Sequence, residues 1–284
     1  MKKTPLDILL RLGKEKKSKF SSSLKKLHLI WSYLKYRAKA KNAHGVHSPF
    51  VFTFITEVLK DSRSFYAFEE IKGLRETLAT NHQKIEIEDL GAGSLHSSKK
   101  VKSISQLAKI AGRNEKFGKL LFRIVDFYQP KKILELGTSM GLGTSYLAKA
   151  NSHSEVVTIE GSRNIQAQAI KNLESINVKN VRFEQGNFDD LLKPILAREQ
   201  FELIFIDGNH RKEPTINYFE QCLKHIKDGS ILIFDDIHWT QGMTEAWEQI
   251  VAHPKVLLSI DLFFFGILFF KKDFKEKQHF VLRY

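Results

Sequence analysis

The chain has 284 residues, of which 42% are apolar and 27% are charged. This balance suits one large globular domain or two small ones and excludes a disordered chain. The formal net charge is +13, and most of it lies at one end: residues 1–50 contain 13 Lys and Arg but only two acids, Asp7 and Glu15, a balance of +11.

The basic N-terminal segment predicts an anionic partner. Screened Coulomb attraction favours a nucleic acid, an anionic membrane surface or an acidic protein without distinguishing them, and a solvated surface is the alternative. The segment has no apolar run of signal-peptide length, so we expect a cytoplasmic protein, with peripheral membrane association and homo-oligomers left open. A single cysteine, Cys222, cannot form an internal disulfide.

The first part of the chain is predicted to be helical. Within residues 1–45, apolar side chains recur at helical spacing, which indicates an amphipathic helix; they include Leu24, Leu27, Ile30, Trp31 and Leu34. Gly45 and Pro49 end this helix, and the apolar spacing after Pro49 begins a second one.

The pattern of predicted secondary structure changes near residue 116 and separates two regions. Residues 85–115 are polar and rich in Lys and Ser, without clear periodicity, and we interpret them as a connecting segment. We therefore divide the chain into a basic helical region, 1–115, and a second domain, 116–284.

The second domain alternates β-rich runs with amphipathic stretches of helical length, which predicts βαβ units and a parallel sheet covered by helices. The runs are 132–136, 156–160, 181–185, 201–207 and 230–235. Two further runs, 256–263 and 266–271, are joined too closely for a parallel crossover, so the final strand is predicted to be antiparallel. The sequence thus indicates an α/β, Rossmann-like sheet of seven strands.

Two glycine-rich stretches compete as the cofactor-binding turn, which requires a strand, a glycine turn that opens a helix, and an acid about 20 residues later. The first, "DLGAGSLHSS" at 89–98, is followed by a poor helix start and by no strand that ends in an acid. The second, "ELGTSMGLGTS" at 135–145, follows the strand "KILEL", opens a helix and precedes Glu160 at the end of "VVTIE". We therefore assign the second turn to the cofactor and Glu160 to its ribose.

The spacing of the glycines in this turn, and the acid before them, also discriminate between cofactors. The glycines stand at 137, 141 and 143 instead of following a dinucleotide fingerprint. Glu135, which precedes them, would repel a pyrophosphate. A cofactor that carries an ammonium and a sulfonium suits this carboxylate better.

The motifs "ILELGTSMGLGTSYLA", "VVTIEGS", "FEQGNFDDLL" and "FELIFIDGNHRKEPTINYFEQCLKHIKDGSILIFDDIHW" resemble those of class I S-adenosylmethionine-dependent methyltransferases. Within this class they are most similar to small-molecule O-methyltransferases of the catechol and antibiotic-tailoring types. The resemblance covers about residues 116–284 and implies the strand order 3-2-1-4-5-7-6. In addition, "HGVHSPFVF" at 44–52 resembles the N-terminal portion of bacterial methyltransferase-like proteins.

The resemblance also implies site roles. The glycine turn would hold the amino-acid end of S-adenosylmethionine, the acid after the second strand its ribose, and the residues after the third strand its adenine. The implied cofactor residues are Glu135, Gly137, Thr138, Ser139, Gly141, Gly143, Glu160, Gly161, Gly186, Asn187, Phe188 and Asp207.

Three acids end neighbouring strands: Asp207, Asp235 and Asp236. Ligands of open α/β sheets lie outside the carboxyl ends of the strands, and carboxylates that converge there repel one another unless a cation or protons compensate. Mg²⁺, which favours oxygen ligands and acidifies a bound hydroxyl, is a predicted cofactor at these residues. Alternatively, Asp207 orients the cofactor or substrate and Asp236 caps a helix.

Asp207 and His210 are the candidate catalytic residues, with His210 as general base or substrate contact; a loop histidine that only bonds to backbone is the alternative. His238 and Trp239 are candidates for the acceptor pocket, with packing favoured for Trp239. His44 and His47 are candidates to close over the site. Cys222 is interpreted as a core residue.

These observations predict an S-adenosylmethionine-dependent methyltransferase that modifies a hydroxyl of a small molecule, with possible assistance from a divalent metal. One alternative is a methyltransferase that acts on RNA or another polyanion recruited by the basic N-terminus. Against it, the fourth strand ends in "IDGNH" and lacks the Asp/Asn-Pro-Pro-Tyr/Phe motif often used to methylate amino groups of bases. Another alternative is a non-catalytic membrane-surface protein with the same fold.

Overall fold

A computed structural model describes residues 27–87, 100–111 and 115–284. The N-terminal region begins with α1 (27–39), and its later elements are α2 (Pro49–Thr53), a π-helical turn (Phe54–Leu59), α3 (Tyr66–Thr80), β1 (Lys84–Ile87), β2 (Lys100–Ser103), α4 (Ile104–Ala111) and α5 (Glu115–Tyr128). The helices predicted before Gly45 and after Pro49 are therefore confirmed. Leu24 and the first glycine stretch, 89–98, lie outside the described residues.

The rest of the chain alternates strands with helices until β7 and α10, and then ends in three strands. Its elements are β3 (Lys132–Leu136), α6 (Leu142–Ala150), β4 (Glu155–Glu160), α7 (Arg163–Ser175), β5 (Val181–Gln185), α8 (Phe188–Arg198), β6 (Leu203–Ile206), α9 (Lys212–Leu223), β7 (Ser230–Phe234), α10 (Gln241–Ala252), β8 (Leu258–Asp261), β9 (Gly266–Phe270) and β10 (Gln278–Val281).

The central sheet has the order β5-β4-β3-β6-β7-β9-β8-β10. The α/β fold class is confirmed, and the seven predicted strands keep their order, with β9 antiparallel to both β7 and β8. The predicted count was wrong, because β10 adds an eighth strand parallel to β8. This edge strand is short and half-exposed, so its sequence lacks the apolar run by which the other strands were found.

The interpretation of residues 85–115 as a connecting segment was also wrong. β1 and β2 form a separate antiparallel pair, and α4 follows β2 directly and buries Ile104, Leu107 and Ala108. β1, Lys-Ile-Glu-Ile, does alternate between polar and apolar residues, but four residues give only a weak strand signal within a stretch rich in Lys and Ser. The two paired strands, moreover, are separated in the sequence by residues 88–99.

The sheet divides the core into two apolar layers because side chains of a strand alternate between its faces. Ile133, Val156 and Phe205 face the layer that contains residues of α5 and α6. Leu134, Val157 and Ile204 face the layer that contains residues of α8, α9 and α10. Since both faces are covered, the central strands are almost entirely apolar.

The N-terminal helix is attached to the C-terminal strand. The N–H of Lys41 donates to the carbonyl of Val281 at 2.8 Å, and the N–H of Arg283 donates to the carbonyl of Lys41 at 3.1 Å. Tyr36 and Ala40, on the inner side of α1, are buried in a small cluster with Phe263. None of the described helices combines the length and the apolar character needed to cross a membrane.

Two helical glycines differ in the space around them, which gives a test of core packing. A Cβ at Gly118 in α5 would lie 2.3 Å from Cε2 of Tyr146, whereas a Cβ at Gly73 in α3 would contact nothing within 4 Å. We expect Gly118→Ala to lower the free energy of unfolding by about 1–3 kcal/mol through overpacking. Gly73→Ala, as the matched control, should raise it by about 0.5–1 kcal/mol through helix propensity. Urea denaturation of both variants checks this, and a stabilised Gly118→Ala would contradict the packing of α5 against α6.

Candidate cofactor and active site

The turn after β3 is held against both neighbouring strands. The N–H of Gly137 donates to the carbonyl of Ile159 in β4 at 3.0 Å, and the N–H of Asp207 donates to the carbonyl of Leu136 at 2.9 Å. Gly137 has φ +109°, and a Cβ there would lie 2.0 Å from the carbonyl oxygen of Asp207. Only glycine fits this position, because the ends of β3 and β6 approach too closely for a side chain.

Glu160 lies against this turn, as the sequence predicts. One carboxylate oxygen, Oε2, accepts a hydrogen bond from the N–H of Ser139 at 2.9 Å, and Oε1 accepts one from the N–H of Ser162 at 2.9 Å. Burial raises the pKa of Glu160, while the N–H groups of Ser162 and Ser139 oppose that rise. The acid at the end of β4 is thereby fixed beside the glycine turn.

Glu135 lies beneath the turn instead of at its surface. Its side chain is buried, and Oε2 accepts hydrogen bonds from the hydroxyls of Thr144 at 2.5 Å and Thr158 at 2.6 Å. Burial raises the pKa of Glu135 to about 8. Sequence reasoning found this acid but missed the two threonines, whose spacing from it follows no motif.

The residues predicted near an adenine follow β5. The N–H of Gly186 donates to the carbonyl of Glu160 at 3.0 Å, and the carbonyl of Gly161 accepts from Nε2 of Gln185 at 3.1 Å. Asn187 caps α8 by accepting from the N–H of Asp189 at 3.1 Å. The ring of Phe188 lies so close to Gly208 that a Cβ on that glycine would be 2.5 Å from Cε2 of the ring. The segments that follow β5 and β6 therefore meet at this ring.

Two of the three predicted metal ligands contact each other. The carboxyl groups of Asp207 and Asp235 share a hydrogen bond. Burial raises the pKa of both, and the neighbouring charges of Asp207 and Asp236 raise that of Asp235 further. The ends of β6 and β7 therefore bring these two carboxyl groups close enough to perturb each other. Within the described part of the chain, no group of three His, Cys, Asp or Glu side chains is placed to hold a metal ion.

His210 lies near the same pair. Its Nε2 is 3.6 Å from Oδ1 of Asp207, and both side chains are about one-third exposed, at 32% and 35%. The preceding Asn209 donates from Nδ2 to the hydroxyl of Tyr218 at 3.0 Å, and that hydroxyl donates to Asp189 at 2.7 Å. These bonds hold the loop after β6 against α8 and α9. The sequence offered no signal for Tyr218, which lies in the middle of a helix.

The other candidate histidines occupy different environments. His238 is 12% exposed and has both ring nitrogens engaged: Nε2 is 2.8 Å from Oδ2 of Asp261, and Nδ1 is 3.2 Å from the hydroxyl of Thr244. Sequence reasoning missed Asp261, because it ends a strand 23 residues away. His44 and His47 are exposed in the N-terminal region.

Two further candidates can be placed in the fold. Trp239 follows the acids after β7, and its backbone N–H donates to the backbone carbonyl of Asp236 at 2.9 Å. Cys222 is buried in α9, and burial raises the pKa of its thiol to about 12. The interpretation of Cys222 as a core residue is confirmed.

These groups share one edge of the sheet. β3 has β4 on one side and β6 on the other, so the chain reverses its direction of winding at the glycine turn. Open α/β sheets bind ligands at such switch points, outside the carboxyl ends of the strands. A turn of bare backbone with a fixed carboxylate beside it suits a ligand that carries hydroxyl donors.

The chain is similar to known methyltransferases over part of its length. Residues 134–237 match a family model described as a methyltransferase domain. A catechol O-methyltransferase from Niastella koreensis is 32% identical over 125 residues, which cover 42% of this chain and 55% of that protein. A catechol O-methyltransferase from Mycobacterium tuberculosis is 31% identical over 122 residues, or 42% of this chain and 54% of that protein. The chain thus spans about half the length of the curated relatives that it matches.

Comparison with solved structures agrees with the fold. An O-methyltransferase from Bacillus cereus, in complex with SAH, superposes with a TM-score of 0.51 at 24% identity and covers 78% of this chain and 97% of that one. At this level of identity the likeness concerns the fold alone. The family model and the relatives agree that residues 134–237 are similar to a methyltransferase domain, and the solved structure agrees with the fold.

Proposed function

We propose that this protein transfers a methyl group from S-adenosylmethionine to a hydroxyl of a small molecule. The observation that carries the proposal is the position of Glu160, whose two carboxylate oxygens are fixed at the glycine turn by the N–H groups of Ser139 and Ser162. Each oxygen keeps a further lone pair, so the carboxylate is able to accept hydrogen bonds from both ribose hydroxyls. The left-handed conformations of Gly137 and Gly141 leave bare backbone for the amino-acid end.

The reaction is a displacement that requires alignment more than acid–base chemistry. S-adenosylmethionine supplies the methyl group, whose bond to sulfur breaks as the bond to the acceptor oxygen forms, leaving S-adenosylhomocysteine. We assign the acceptor's proton to Nε2 of His210, because this side chain is partly exposed at the carboxyl edge. Asp207, 3.6 Å away, would stabilise the resulting imidazolium. Since the relatives are named catechol O-methyltransferases, a catechol is the first acceptor to assay.

Glu160 provides the test of cofactor binding. We expect S-adenosylmethionine to bind the wild-type protein and Glu160→Ala to weaken its Kd at least about tenfold, which is about 1.4 kcal/mol, because the ribose loses a charged acceptor. Isothermal titration calorimetry measures both constants. Glu174→Ala, an exposed acid of α7, is the matched control. An unchanged affinity in Glu160→Ala would remove the ribose assignment.

We also propose that a divalent metal assists the reaction, because Asp207, Asp235 and Asp236 offer the oxygen ligands that Mg²⁺ prefers. The two carboxyls in contact do not amount to a three-ligand site, so we assign no step of the reaction to a metal. Calorimetric titration of the protein with MgCl₂ tests the prediction, with Asp235→Asn as the comparison. Binding of Mg²⁺ that this substitution abolishes would support a metal site. Absence of binding to the wild-type protein would contradict the metal prediction and leave the methyl-transfer proposal standing.

Glu135 predicts a pH dependence of stability in the cofactor-free protein. Its pKa is about 8 in the folded state against 4.5 ordinarily, so the folded state binds the proton more tightly. The contribution of this group to stability is therefore largest at acid pH and is lost as the pH rises from about 4.5 to about 8.

Glu135→Gln should remove this loss, since glutamine keeps an acceptor oxygen without a charge. Between pH 5 and pH 8, we expect the free energy of unfolding of the wild type to fall relative to that of Glu135→Gln by about 2–4 kcal/mol. Urea denaturation at both pH values measures it, with the exposed Glu174→Gln as control. Parallel pH profiles for the wild type and Glu135→Gln would show that Glu135 is not protonated in the folded protein.

A further inference from the structure

Helix α1 presents an apolar stripe to solvent. Leu27, Ile30, Trp31 and Leu34 are 63%, 58%, 60% and 55% exposed, respectively. Their spacing places all four on one face of the helix. We call these four residues the exposed stripe. It is a contiguous apolar surface, unlike a single exposed side chain, and such surfaces usually mark an interaction site.

The opposite face of α1 is fixed to the body of the protein. Ser32, Tyr36 and Ala40 are buried, and Tyr36 packs against Phe263 with ring centroids 5.4 Å apart. The main chain just beyond the helix bonds to the C-terminal strand through Lys41. The helix is therefore mounted with its exposed stripe directed away from the core.

Cations border this stripe. Lys35 lies one helical turn after Trp31, with Nζ 5.4 Å from the centre of the indole ring. Arg37 lies two turns after Ile30 and so borders the other edge of the stripe. Residues 27–50 contain four basic side chains, Lys35, Arg37, Lys39 and Lys41, and no Asp or Glu. The outer side of α1 is thus apolar along its middle and positively charged at its margins.

We propose that α1 lies flat on a membrane surface that contains anionic lipids. The exposed stripe would enter the boundary between headgroups and acyl chains, and Lys35 and Arg37 would pair with lipid phosphates, the arrangement typical of interfacial amphipathic helices. Basic residues near an anionic surface strengthen such binding by Coulomb attraction. The tryptophan suits this boundary, since its ring is amphipathic.

A nucleic acid and a second copy of the chain fit this surface less well than a membrane does. A nucleic acid would bind the cations but would gain little from an exposed leucine and isoleucine. A second copy of the chain would cover the apolar residues but would bring together two N-terminal segments that each carry a balance of +11, which repel each other. An anionic lipid surface satisfies both the apolar and the charged parts.

The helix also contacts the vicinity of the candidate active site. Nε2 of His28, on α1, is 3.3 Å from the hydroxyl of Thr244, and the same hydroxyl is 3.2 Å from Nδ1 of His238. His238 follows the acids at the end of β7. A protein docked through α1 would therefore hold the carboxyl edge of its sheet close to the lipid surface. Docking itself does not depend on the reaction proposed above.

Vesicle binding by the full chain tests the inference. We expect co-sedimentation with vesicles of phosphatidylcholine and phosphatidylglycerol, weaker binding to phosphatidylcholine alone, and weaker binding at high salt. The double variants Ile30→Ser/Leu34→Ser and Lys35→Glu/Arg37→Glu should each reduce the affinity at least about tenfold. The emission of Trp31 should shift to the blue on binding, and Trp31→Phe should abolish that shift.

Matched control variants distinguish docking through α1 from nonspecific binding of lipid by charged or apolar residues elsewhere on the surface. Lys171→Glu/Lys179→Glu makes the same charge change at exposed positions elsewhere, and Val101→Ser removes an apolar side chain that is 60% exposed; both should bind like the wild type. Because all the altered side chains of α1 are exposed, circular dichroism should show unchanged folding.

Three outcomes would overturn the inference. In the first, the wild-type protein does not sediment with the anionic vesicles. In the second, Ile30→Ser/Leu34→Ser binds them as well as the wild type. In the third, analytical ultracentrifugation shows a dimer that Ile30→Ser/Leu34→Ser dissociates, which would assign the exposed stripe to a second copy.

Discussion

The close approach of β3 and β6 is the constraint on which the candidate site depends. At their carboxyl ends the two strands leave no room for a side chain at position 137, because a Cβ there would lie 2.0 Å from a carbonyl oxygen. Position 137 therefore accepts only glycine, in a conformation with positive φ. The chain then turns back over β4, where the N–H of Ser139 reaches Glu160. The same constraint thus shapes the bare turn and brings the acid beside it.

A concentration of carboxyl groups distinguishes this edge of the sheet from the rest of the core. Glu135, Glu160, Asp207 and Asp235 all have raised pKa values, and burial is the largest cause in each case. Threonine hydroxyls at Glu135 and backbone N–H groups at Glu160 offset part of the cost of burying these two acids. Such an edge favours ligands that bring hydroxyl donors and positive charge, and a sulfonium nucleoside with an amino group brings both.

The N-terminal region contributes a different kind of surface. Whereas the candidate site is made of strand ends, α1 is an amphipathic helix whose inner face is fixed by Tyr36 and by main-chain bonds to the C-terminal residues. Main-chain hydrogen bonds through Lys41 join the end of α1 to the residues of and after β10. The two ends of the described chain therefore pack together, and α1 also contacts α10 through His28 and Thr244. Through the hydroxyl of Thr244, the helix that carries the exposed stripe lies close to His238, which follows the acids after β7.

The sequence by itself determined the parallel sheet, the glycine turn and the acid at position 160, because these follow from local periodicity and from fixed spacings along the chain. The strand order was implied by the resemblance of its motifs. It did not reveal β10, the pair of β1 and β2, or the threonines that bond to Glu135, because short edge strands and partners distant in sequence leave no periodic signal. Only the tertiary structure decided that Asp207 contacts Asp235 and that His238 pairs with Asp261. Such pairings depend on which strand ends meet in space, and that distance is set by packing across the whole sheet.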